Sequence, residues 1–65
     1  MKCFHDPYLT LSFVNTKLRD QYDSLEKLCE DLQWEKQEIL DQLQSIQYFY
    51  DVTKNAFVFR QMHSF

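Results

Sequence analysis

Leu11, Leu18, Leu25, Leu32, Ile39 and Ile46 fall at intervals of seven along the chain. Leu28 stands three residues after Leu25, and Tyr22, Cys29, Leu43 and Tyr50 stand four residues after Leu18, Leu25, Ile39 and Ile46. A sustained seven-residue apolar repeat with such companions is the pattern of helices that pack along a seam. The companion positions are irregular, because Gln21, Glu35 and Gln42 occupy three places that a strict zipper fills with apolar residues. A broad stripe of this kind fits a helical bundle better than an ideal two-stranded coil. The chain has no glycine and one proline, Pro7, so the usual helix breakers are missing between Thr16 and Thr53. The spacing therefore predicts one long amphipathic helix over residues 16–53, with residue 7 as an earlier alternative start.

The flanks carry weaker patterns. YLTLSFV (residues 8–14) alternates apolar and polar residues as a strand does. However, Asp6-Pro7 is a helix start, with Asp as cap and Pro in the first turn, and Leu11 keeps the seven-residue phase. Helix is the preferred reading there. Beyond Asn55, which tolerates the left-handed conformation, AFVFRQM (56–62) is short, apolar and β-prone. These signals predict a single small domain over residues 1–65, all-α or mostly α. It comprises an N-terminal segment (1–15), the long helix (16–53) and an apolar tail (54–65), with end segments that are candidate strands.

Length turns this pattern into a prediction about assembly. A helix over 16–53 is about 57 Å long at its rise of about 1.5 Å per residue. A compact chain of this size has a radius of gyration of only about 11 Å. Its own ends are too short to cover such a rod, so the seam calls for a second chain. A coiled-coil or helical-bundle homo-oligomer, most simply a dimer, is expected, with Leu18, Tyr22, Leu25, Leu28, Cys29, Leu32, Lys36, Ile39, Leu43, Ile46 and Tyr50 at its interface. Glu35-Lys36 interrupts the seam. Lys36 is expected to meet an acid of the partner helix and fix its register, as single polar seam residues do. Trp34 lies roughly 200° round the helix from Leu32, and Tyr48 falls on the same far side. Both residue types are favoured at binding hot spots, so Trp34 and Tyr48 are the candidate partner-binding residues.

Charge narrows the partner. The formal net charge is −3. Between Thr16 and Thr53, Asp20, Asp23, Glu26, Glu30, Asp31, Glu35, Glu38, Asp41 and Asp51 face only Lys17, Arg19, Lys27 and Lys36. A direct grip on nucleic acid needs clustered Lys and Arg, and a membrane-surface helix needs a basic face, so neither partner is expected. No basic region precedes an apolar run at the start, and no stretch reaches the roughly 20 apolar residues that span a bilayer. The two cysteines, Cys3 and Cys29, are unclustered, which fits a reducing compartment. A cytoplasmic protein is expected.

Candidate chemistry is sparse. Cys3-x-His5-Asp6 with the distant His63 fits no zinc spacing. No phosphate-cradling loop or carboxylate box is present, and a helical rod offers no concave pocket for a nucleophile and base. No enzyme activity, metal or cofactor is expected. The expected function is a protein–protein interaction module that acts as an adaptor or inhibitor of a larger protein. An acidic transcription-related regulator, or a nucleic-acid mimic that fills a basic cleft, is the alternative. A structural or assembly component is the third.

Overall fold

The computed structural model describes residues 3–61. Asp6 starts the first helix as the sequence predicts: its carboxylate accepts the Tyr8 N–H at 2.9 Å, and Pro7 takes the first helical position. This helix, α1, runs Pro7–Asp20 and then stops. Residues 21–24 turn the chain, and Ser24 restarts it by accepting the Lys27 N–H at 3.2 Å. The second helix, α2, spans Leu25–Leu32, with Glu26 in its positive first turn. Gln33 ends it in the left-handed region, at φ 58° and ψ 40°. The third helix, α3 (Lys36–Gln44), therefore follows after three residues, and Gln47, at φ 66°, swings the chain out of it. Strands β1 (Tyr48–Asp51) and β2 (Ala56–Phe59) then pair antiparallel, Tyr48 opposite Phe59 and Asp51 opposite Ala56.

The single long helix is thus replaced by three short helices and a hairpin. Among the described residues there is neither a coiled coil nor a rod-like helical bundle; they measure 40 × 26 × 17 Å, with a radius of gyration of 11.5 Å. The physical reason lies at the turns. Gln33, Gln47 and Asn55, at φ 51°, adopt the conformation usually given to glycine, so a chain without glycine still turns sharply at these positions as well as over residues 21–24. Residues 8–14 are helical, and 56–59 form a strand. Residues 62–65 of the expected tail, with His63, lie outside the described residues.

The seven-residue series fills one core inside one chain. Leu18, Leu25, Leu28, Cys29, Ile39 and Leu43 are buried together with Val14 and Phe57. Leu11, Leu32 and Ile46 are half-buried against them. Three elements, α1, α2 and β1, meet through Tyr50 and Asn55 of the hairpin. The Tyr50 hydroxyl accepts the Leu25 N–H at 3.3 Å and donates to Asn55 Oδ1. Asn55 Nδ2 in turn donates to the Leu18 and Tyr22 carbonyls, at 3.2 and 2.9 Å. The hairpin thereby satisfies orphan backbone groups at the end of α1 and the start of α2. At the opposite end, Gln42 of α3 ties down the N-terminal segment. Its Nε2 donates to the His5 carbonyl at 3.1 Å and to that of Phe4, while Cys3 Sγ donates to its Oε1 at 3.2 Å.

Candidate protein-interaction surface

Short helices leave α3 with one face in the core and one in solvent. Ile39 and Leu43 point inward, whereas Lys36, Gln37, Asp41 and Gln44 are exposed and Leu40 is half-buried. The hairpin stands beside this outer face. Lys36, Gln37, Leu40 and Gln44 form one wall, and Tyr48, Phe49 and Tyr50 the other, of a groove of about 410 Å³. Of these seven residues only Lys36 is charged.

Its charge is already engaged. Lys36 Nζ lies 2.5 Å from Glu26 Oε2, across the α2–α3 turn of the same chain. The hydrogen bond to Lys36 holds the Glu26 carboxyl below its ordinary range, and the same bond raises the Lys36 ammonium. The register-fixing role expected of Lys36 thus has a counterpart within the chain: the residue pins α3 against α2. Acids adjoin its lining residues in the chain, Glu35 before Lys36, Asp41 after Leu40 and Asp51 after Tyr50; Asp41 accepts from the groove's Gln37 at 2.9 Å, whereas Asp51 accepts the Thr53 and Lys54 N–H groups of the hairpin turn.

The hairpin's hydrogen bonds decide what else the groove presents. Asn15 of α1 clasps Phe57 from outside the sheet: its Oδ1 accepts the Phe57 N–H at 2.8 Å, and its Nδ2 donates to the Phe57 carbonyl at 3.1 Å. Phe57 therefore directs both backbone groups away from β1. In an antiparallel ladder such pairs alternate with bonded ones. Phe49–Val58 and Asp51–Ala56 are then the bonded pairs, and the Arg60 N–H to Gln47 carbonyl bond at 2.8 Å continues that alternation. It follows that Tyr48 and Tyr50 turn their N–H and C=O groups to the outer edge of β1. Those groups have no hydrogen-bond partner among the described residues.

The aromatic residues singled out by sequence separate. Trp34 sits in the α2–α3 turn, half-buried, with its ring centroid 5.7 Å from Phe4 and 5.3 Å from Phe13. Tyr48 stacks edge-on against Phe59 at 5.7 Å and lines the groove. The two are not brought together. Tyr22 packs against the core, and its hydroxyl donates to the Asp31 carboxylate, which raises the phenol's pKa. Cys3 and Cys29 are both free, and burial pushes both thiols up. Among the described residues, no three His, Cys, Asp or Glu side chains are placed to share a metal ion. No helix there is long and apolar enough to cross a membrane.

Gln37, Leu40, Gln44 and Phe49 escaped the sequence reading. Leu40 and Phe49 lie off the seven-residue phase, beside residues that keep it, and the groove exists only because the chain folds back after Gln47.

No curated protein and no solved structure matches this chain. The family model described as Domain of unknown function (DUF4250) matches residues 4–57, which include all three helices and the hairpin turn, and the chain belongs to that family.

Proposed function

We propose that the protein is a small, non-enzymatic, cytoplasmic interaction module that binds a larger protein through the exposed face of α3 and the adjoining hairpin, as an adaptor or inhibitor. The observation that carries this reading is the composition of that face. It offers amides, tyrosines, Leu40 and Phe49, and its single cation is bonded to Glu26. Aromatic and apolar groups among neutral polar ones suit protein recognition, and two free, unclustered thiols suit a reducing compartment.

A second reading is favoured by the order of elements. Two helices joined by three residues, after a first helix and before a hairpin, have the chain order of a helix-turn-helix with a β wing. In DNA-binding proteins of that order the second helix of the pair enters the major groove. Charge opposes this use here. From Ser24 to Ser45, Glu26, Glu30, Asp31, Glu35, Glu38 and Asp41 outnumber Lys27 and Lys36, whereas phosphate contacts supply most non-specific affinity.

Immobilised protein, exposed to lysate beside a Gln37→Ala, Gln44→Ala double variant of unchanged circular dichroism, separates the two. Protein recognition predicts a specific protein retained by the wild type and lost by the variant. An affinity for duplex DNA that falls steeply with salt and disappears in the variant establishes the second reading instead.

A further inference from the structure

We infer that the outer edge of β1 is a strand-pairing site, and that its occupant is an extended peptide segment of the partner protein, with apolar residues alternating with basic ones. The inference rests on the protein-recognition reading of the α3 face and names the partner's form.

Two observations specify that occupant. The first is the alternation of backbone groups. Tyr48 and Tyr50 present two N–H donors and two C=O acceptors along one edge, at strand spacing, and an extended main chain is the complement of such a row. The opposite edge of the hairpin is not equivalent, because Asn15 closes it at Phe57 with a donor and an acceptor of its own. The same hairpin thus has one edge occupied by a side chain and one edge open along a groove. The second observation is charge. The Asp41 carboxylate accepts from the groove's Gln37 at 2.9 Å, the groove's one cation, Lys36, is bonded to Glu26, and the chain as a whole carries a formal net charge of −3. Basic side chains are therefore attracted at its rim, and acidic ones repelled. Between the rims, Leu40 on α3 and Phe49 on β1 offer apolar contact to alternate residues of the added strand.

A fluorescein-labelled heptapeptide of alternating lysine and valine, capped at both ends, is the probe. Two controls accompany it: the same peptide with alternate backbone amides N-methylated, and a glutamate–valine counterpart. Fluorescence anisotropy measures affinity, and amide hydrogen exchange by NMR locates the site. Strand pairing predicts that the lysine–valine peptide binds, and that each control binds at least about tenfold more weakly, the loss of one or two net hydrogen bonds or of charge attraction. It also predicts that exchange of the Tyr48 and Tyr50 amides slows on binding, while that of Phe57 is unchanged. Equal affinity for the N-methylated peptide, slowed exchange elsewhere, or absence of binding overturns the inference. Slowing at Tyr48 and Tyr50 that rises with protein concentration and needs no peptide assigns the edge to a second copy, and so overturns it too. A partner lost in the Gln37→Ala, Gln44→Ala variant while the wild type's Tyr48 and Tyr50 amides stay fast in the complex overturns strand pairing and leaves protein recognition standing.

Discussion

Asn55 concentrates three tasks in one side chain. It holds the left-handed end of the hairpin turn, donates to two carbonyls at the end of α1, and accepts the hydroxyl of Tyr50. The tasks separate by substitution. Asn55→Gly keeps the backbone geometry and removes the hydrogen bonds, leaving partly buried carbonyls unpaired, at a cost of about 1–3 kcal/mol. Asn55→Ala adds a left-handed penalty of about 1–2 kcal/mol. Urea unfolding with unchanged slope is expected to rank wild type above Asn55→Gly above Asn55→Ala; equal midpoints for the two variants contradict the account. That Asn55 takes the left-handed conformation is readable from the sequence, since Asn tolerates it. Its role is not, because the carbonyls it holds, on Leu18 and Tyr22, lie 37 and 33 residues away along the chain. Gln33 and Gln47 are harder still. Glutamine has no local preference for positive φ, so nothing at either position in the sequence marks the turn.

The elements explain why a seven-residue repeat failed to make a long helix. Only the intervals Leu11–Leu18 and Leu25–Leu32 lie within single helices. Those from Leu18 to Leu25, from Leu32 to Ile39 and from Ile39 to Ile46 cross a turn or a helix end, where rotation per residue is no longer helical. Periodicity thus marked the right core residues and joined them wrongly. The first break is capped by Ser24, a residue type favoured at helix starts, within an apolar phase that runs on unbroken. Glu35-Lys36 signalled the second. Its interruption of the seam is the start of α3, and Lys36 bonds to Glu26 within the chain. The pair sets a pH dependence. The folded Glu26 carboxyl titrates below its unfolded value, so its contribution is present above about pH 5 and is lost as pH falls through the lowered value. The Lys36 ammonium is raised, so its contribution holds below about pH 10 and is lost as pH rises through the raised value. Both side chains are substantially exposed, and salt screens them. The urea-midpoint difference between wild type and Glu26→Gln is therefore expected to be positive near neutrality and to shrink toward pH 3 and in about 1 M salt. A difference constant across pH rules the ion pair out as its source.

Self-association follows from the seven-residue series only if that seam is left uncovered. A rod of about 57 Å needs a second chain, whereas a molecule 40 Å in its longest dimension covers the seven-residue series itself, although Tyr8, Leu9, Val52 and Phe59 stay exposed. Eight core residues from α1, α2, α3 and β2 meet inside one chain, and Leu25, Leu28, Ile39 and Leu43 are wholly buried there. Folding of such a core is expected to carry no concentration term. For an obligate dimer the unfolding midpoint rises with protein concentration by mass action; for this core it is expected to stay constant between about 1 and 100 μM. The core is also small. At roughly 0.05–0.15 kcal/mol per residue, total stability is about 3–10 kcal/mol, and Leu25→Ala, at the junction with the Tyr50 hydroxyl, costs about 2–5 kcal/mol. That single truncation is expected to remove much of the cooperative transition at every concentration. A variant that recovers full stability on concentration, with a sedimentation coefficient that rises in step, shows that a second chain completes the core after all.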